Sequence, residues 1–218
     1  MWSFRYDSRM HERGNKLLTI GVVVLAAGAS RRMGEPKLLL PWGQTSVLGH
    51  LLAQWTRLHA QQTAVVLAAG SQPIVEELNQ LAFSKTNRIF NPAPDDGMFS
   101  SIQLAANWPG WHPSLTHWVI TLGDQPHLKE STLQELLNFG ARNPDKIWQP
   151  MRGERRKHPV LLAKRFFQEL GKTSAGDLKM FLVERAADLS GFQSHDAGLD
   201  FDMDTREDYE RVKQFSSL

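Results

Sequence analysis

The chain contains no cysteine. Disulfides, thiolate nucleophiles and cysteine-ligated zinc or iron–sulfur centres are therefore excluded, and the composition suits a reducing, cytoplasmic setting. Any apolar run long enough to cross a bilayer is missing as well. The opening residues, MWSFRYDSRMHERGNK, are polar and charged and lack the apolar stretch of a secretory signal. We expect residues 1–16 to form a flexible arm, with Met10 an alternative start, ahead of one domain over 17–218. A strong charge of either sign is absent too. The formal net charge of +2 makes neither nucleic acid nor a membrane an expected partner. Low-complexity segments and linkers do not occur.

What is present is an ordinary globular composition, 41% hydrophobic and 22% charged over 218 residues, enough for a full core. Short apolar runs alternate with helical patterns. Strands are expected at Thr19–Leu25, Ala64–Leu67, Arg88–Phe90, His117–Leu122, Lys146–Trp148, Pro159–Leu162 and Phe201–Met203. Helices are expected at Val47–His59, Pro73–Leu81, Ser100–Ala106, Ser131–Phe139, Ala163–Leu170, Asp177–Glu184 and Arg206–Phe215. Ser100 and Ser131 are suitable N-caps. This alternation predicts an α/β fold with a mainly parallel sheet, and with ligands at the strand-to-helix turns along one sheet edge.

The pentapeptide VLAAG occurs twice, and its two continuations differ. After the first come Ala29-Ser30-Arg31-Arg32-Met33-Gly34-Glu35-Pro36-Lys37; after the second come Ser71-Gln72-Pro73 and then Glu76 and Glu77. The second is a plain turn, because its carboxylates would repel polyphosphate. The first has small residues for close backbone approach, with Gly28 and Gly34 free to expose successive N–H groups in left-handed conformations. Arg32 and Lys37 add a fork and a point charge suited to phosphate. From composition alone, a basic solvated turn and a phosphate site fit equally well. It is neither a Walker A motif nor a G-x-G-x-x-G fingerprint.

Two acidic segments join it. Asp124 ends an apolar run, Val119-Ile120-Thr121-Leu122-Gly123, and would stand over the ligand edge of the sheet, where Mg²⁺ prefers one or two carboxylates plus phosphate oxygens. Asp200, Asp202 and Asp204 would share one face of a strand, an arrangement that calls for a cation. Thr205 or Asp204 would cap the last helix, with Glu207 and Asp208 favourable in its first turn.

LAAGASRRMGEPK resembles the signature L-A-[AG]-G-x-S-x-R-M-G-x-x-K of the MobA-like NTP transferases, the molybdenum cofactor nucleotidyltransferases. Leu122-Gly123-Asp124-Gln125-Pro126 is similar to that family's L-G-D-[MQ]-P, and Asp202–Asp208 to its D-[IV]-D-T-P-E-D, with Arg206 in place of Pro. The resemblance implies one Rossmann-like three-layer domain of the nucleotide-diphospho-sugar transferase kind. It assigns catalytic roles to Arg32, Lys37 and Asp124, and Mg²⁺ binding to Asp124, Asp202 and Asp204. Nucleotide binding falls to Leu25, Ala26, Ala27, Gly28, Ser30 and Gly34. Asn91, Gly97, Ser100 and Ser101 join them, because Asn91–Ser101 is similar to the family's N-P-x-x-x-x-G-M-x-S-S. His158 and Pro159 correspond to the end of R-G-H-P-V and imply acceptor contacts. The basic loop around them suits an anionic acceptor or a solvated hairpin tip.

Ala27, where guanylyltransferases tend to have Gly, narrows the base site and points to CTP over GTP. The implied reaction moves CMP from CTP to a phosphorylated acceptor, molybdopterin in the family, with release of pyrophosphate. A delivery partner of the xanthine-dehydrogenase type goes with it. Ser174 and Leu178 replace an Asp and an Arg usual in the family, and that region handles the acceptor. Two alternatives follow: transfer to another acceptor such as a sugar phosphate, or a non-catalytic cofactor carrier.

Overall fold

The computed structural model describes residues 18–30 and 32–216. The expected arm over 1–16 and Arg31 lie outside the described residues. The chain enters through β1 (Ile20–Ala26), whose residues are all buried. A 3₁₀ turn at Lys37–Leu39 and the small hairpin of β2 (Pro41–Trp42) and β3 (Thr45–Ser46) lead into α1 (Val47–Arg57). Ser46 caps that helix, its Oγ accepting from Gly49 N at 3.0 Å. Then follow β4 (Gln62–Ala68), α2 (Gln72–Gln80), β5 (Arg88–Asn91), α3 (Met98–Ala106), β6 (His117–Leu122) and α4 (Glu130–Arg142). The last part holds β7 (Ile147–Arg152), β8 (Arg155–Arg156), β9 (Val160–Ala163), α5 (Lys164–Leu170), α6 (Leu178–Glu184), β10 (Leu189–Gln193) and α7 (Arg206–Ser216).

The main sheet runs β10-β7-β9-β6-β1-β4-β5, with β8 paired to β7. β1 is parallel to both β4 and β6, β4 to β5 and β7 to β10, while β9 lies antiparallel between β6 and β7. Alternation along β1 splits the core. Val22 and Val24 pack with α1, α2, α4 and α7, while Val23 and Leu25 pack with α3, α5 and α6. The result is the expected α/β architecture of three layers.

From β1 the chain moves outward to β4 and β5, then returns to β6 on the other flank of β1. The loops leaving β1 and β6 therefore diverge in opposite directions, and a crevice opens at the carboxyl ends of these strands.

Three local expectations are corrected. Phe201–Met203 is not a strand; β10 takes the edge position, and its Ser190-Gly191 centre hid it from a propensity reading. Ser131 does not cap α4. The helix begins at Glu130 with no side-chain cap, and buried Asp196 instead ties its start to a remote loop, accepting from Lys129 N at 2.9 Å and from Thr132 Oγ1 at 2.8 Å. Nor does Ser100 start α3: Gly97, at φ 91°, precedes a helix that begins at Met98.

Candidate active site

At that crevice Leu25, Ala26, Ala27 and Gly28 from the end of β1 meet Leu122, Gly123 and Asp124 from the end of β6. Lys37 and Leu38 form one wall, and Pro94, Gly97, Met98 and Ser101 the other, around a cavity of about 180 Å³. The β1 loop bends back through Ser30, which adopts φ 48° and accepts from Lys37 N at 3.2 Å on its Oγ. Gly34 takes the left-handed conformation expected of it, at φ 75°. The corresponding conformation expected at Gly28 occurs instead at Ser30, and a Cβ on Gly28 would meet nothing within 4 Å. Packing therefore does not require a glycine at 28, and the residue borders the cavity.

Gly123 has the opposite role. Its N donates to Leu25 O at 3.0 Å, and a Cβ there would stand 2.6 Å from the same carbonyl. This glycine lets the loop after β6 close on β1, which brings Asp124 over the cavity. The next residues are clamped from behind. Gln54 Nε2 of α1 donates to Leu128 O at 2.8 Å, and His127 Nε2 pairs with Gly198 O at 3.0 Å.

Lys37 joins the halves. Its Nζ donates to Asp124 Oδ2 at 2.5 Å and to Asp204 Oδ1 at 3.3 Å. Arg32 Nη2 reaches the other oxygen of Asp204 at 2.7 Å. The Lys37 and Asp124 side chains are only 15% and 23% exposed, so water screens them less than a surface pair. Asp204 is held between fully buried Met203 and the capped start of α7. Thr205 is that cap: Thr205 N and Oγ1 donate to Asp208 Oδ2, and Asp208 N donates to Thr205 Oγ1. Arg206, the departure from the family pattern, ties α7 to the β1 loop through Glu35 at 2.8 Å.

The other expected residues are distributed around this centre. Asn91 is buried and braces the wall, its Nδ2 donating to Ser100 Oγ and Ser101 Oγ at 2.9 Å each. Ser101 borders the cavity, whereas Asn91 and Ser100 support it from outside. The three aspartates do not share a face. Asp200 pairs with Arg152 and Lys157, Asp204 pairs with Arg32 and Lys37, and Asp202 is exposed, because the segment lacks strand alternation. Pro159 is buried. His158 lies on a second cavity of about 680 Å³ that shares Met98 with the first. Burial holds its imidazole below the usual histidine value, so it is neutral near pH 7. Arg155, Arg156, Lys157 and Lys179 give that cavity a basic rim, and Leu178, Leu182, Val183 and Leu189 an apolar wall. Pro94, Met98 and Leu38 were missed in the sequence, since apolar walls carry no chemical signature.

Two cations and two carboxylates, drawn from segments far apart in the chain, converge at the switch point of the sheet. With the three-layer fold, this arrangement goes with a nucleotidyltransferase of the nucleotide-diphospho-sugar transferase fold. Residues 22–189 match the MobA-like NTP transferase domain, and the chain belongs to that family.

A molybdenum cofactor cytidylyltransferase of Escherichia coli is 25% identical over 198 residues, covering 89% of this chain and 96% of the relative. The crystal structure of Rv0371c from Mycobacterium tuberculosis aligns with a TM-score of 0.71 at 26% identity, over 90% of this chain and 98% of that one. The same mycobacterial protein in complex with manganese aligns at 0.63 and 25% identity, again over 90% and 98%. A nucleotidyl transferase from Methanothermobacter, at 19% identity and a TM-score of 0.72 over 91% and 98%, shares the fold.

Proposed function

We propose that this protein transfers CMP from CTP to a phosphorylated acceptor, molybdopterin, and releases pyrophosphate. The observation that carries the reading is the meeting of Lys37 and Asp124 at one small cavity at the carboxyl end of β1, with Asp204 paired to Lys37 and Arg32 paired to Asp204. An acceptor phosphate oxygen attacks the α-phosphorus, the bond to the bridging oxygen breaks, and the electron pair leaves with pyrophosphate. Lys37 and Arg32 offset charge growing on the leaving group. The acceptor phosphate is already largely ionised near neutral pH, so no general base is required. Alignment by the rigid walls supplies much of the remainder.

Asp124 and Asp204 fit a hard divalent ion. Both present carboxylate oxygens to one point, now held by the Lys37 ammonium, and phosphate oxygens would complete the set. Exposed Asp202 is the remaining candidate ligand. Bound there, Mg²⁺ or Mn²⁺ would neutralise phosphate charge. The manganese complex of the mycobacterial relative supports divalent metal use. Ala27 borders the cavity, and its methyl favours a pyrimidine. The basic rim of the second cavity suits an anionic acceptor, which His158 would contact. Delivery of the product to a xanthine-dehydrogenase-type enzyme in the cytoplasm completes the reading; no described helix is long and apolar enough to cross a membrane.

A second reading is favoured by one residue. Leu178 lies on the wall of the acceptor cavity where the family has a charged side chain, which supports a different phosphorylated acceptor. Pyrophosphate release decides between them, with CTP or GTP, Mg²⁺, and molybdopterin or a panel of sugar phosphates. Release with CTP and molybdopterin is expected. Faster turnover of GTP rejects the pyrimidine assignment, a sugar phosphate as the better acceptor establishes the second reading, and no release with any nucleotide points to a carrier.

A further inference from the structure

We propose that Asp204 is an internal counter-ion that makes a triphosphate and its metal ion bind cooperatively, each weakly alone and tightly together. The inference deepens the function proposed above and rests on its phosphate site.

Four charges form an unbroken chain: Arg32 to Asp204, Asp204 to Lys37, and Lys37 to Asp124, at 2.7, 3.3 and 2.5 Å. Asp204 bridges two cations with its two oxygens, as two oxygens of a phosphate group would. A triphosphate entering without metal must pull both cations from Asp204 and then face two uncompensated carboxylates. A divalent ion entering by itself must displace the Lys37 ammonium and then share a partly buried site with two cations. When both arrive, the cations pass to phosphate oxygens and the carboxylates to the metal, and every charge is again paired. That difference is a coupling free energy, positive and reciprocal between the two ligands.

The consequence has a sign that a simple metal ligand would not produce. Removing the charge of Asp204 frees Arg32 and relaxes Lys37, so metal-free polyphosphate should bind more tightly. The test is calorimetric titration with inorganic tripolyphosphate, in EDTA and in excess MgCl₂, for the wild-type chain and Asp204→Asn. Chelation of magnesium by tripolyphosphate in solution is common to both proteins and cancels in the comparison.

Asp204→Asn should tighten metal-free binding about tenfold, the scale of one charge-assisted hydrogen bond freed from competition. It should shrink the gain on adding magnesium by at least as much. Unchanged or weaker metal-free binding in a variant that unfolds at the wild-type temperature overturns the counter-ion role and leaves the phosphate site standing. Should Asp204→Asn not fold, Asp204→Ser is read in its place, because it removes the same charge, and the same gain is required. Failure of either protein to bind tripolyphosphate in either buffer removes the phosphate site and the inference together.

Discussion

Lys37 holds two carboxylates from elements that are distant in sequence, and no other described side chain links all parts of the site so directly. Lys37→Met should lower kcat/KM for nucleotidyl transfer by roughly 10²–10³-fold, the usual loss when one preorganised donor to developing charge is removed. Thermal unfolding should shift by only a few degrees, since both carboxylates keep partial access to water, at 23% and 31% exposure; steady-state kinetics beside a melting curve separates the effects. Two glycines give a sharper contrast. Gly28→Ala places a methyl in the cavity, so KM for CTP should rise while stability stays within about 1 kcal/mol of wild type. Gly123→Ala drives a methyl against Leu25 O, and stability should fall by roughly 1–3 kcal/mol in urea unfolding. Equal effects of the two substitutions on stability would refute this division of labour.

At the scale of elements, α7 determines where Asp204 stands. Asp208, the third residue of that helix, has its carboxyl held below the ordinary value, first by accepting the Thr205 hydroxyl and further by the Thr205 N–H and Arg211. The folded protein therefore takes up this proton less readily than the unfolded chain. The stabilisation is complete above the unfolded value near about 4 and is lost as pH falls through the lower folded value. Stability measured by urea unfolding should thus decline below about pH 4, and Asp208→Asn should flatten that part of the profile. A variant profile that falls as steeply as wild type would exclude Asp208 as a contributor. The start of α4 is held differently, by Asp196 from a remote loop. No spacing rule could reveal that contact, because the donor and acceptor are 67 residues apart.

For the whole molecule, the site exists only where the fold closes. Residues 25–28, 37–38, 94, 97–98, 101 and 122–124 come together across the sheet, with Asp204 paired to Lys37. Ligand binding should therefore stabilise the entire fold. CTP with MgCl₂ at about a hundred times Kd should raise Tm by roughly 5–10 °C, and EDTA should remove most of that gain; differential scanning calorimetry reads it directly. Stabilisation by CTP that ignores EDTA would count against a metal-linked site.

The sequence by itself determined the alternation of strands and helices and the residue types that the Ala26–Gly28, Lys37 and Leu122–Asp124 positions bring to the crevice. These are written in local periodicity and in which charges follow a strand. The tertiary structure alone decided that β9 runs antiparallel, that Asn91 braces a wall, and that Asp200 and Asp204 serve different cations. It also decided that Lys37 touches Asp124. Such outcomes depend on which distant surfaces meet, and residue spacing along a chain carries no record of that.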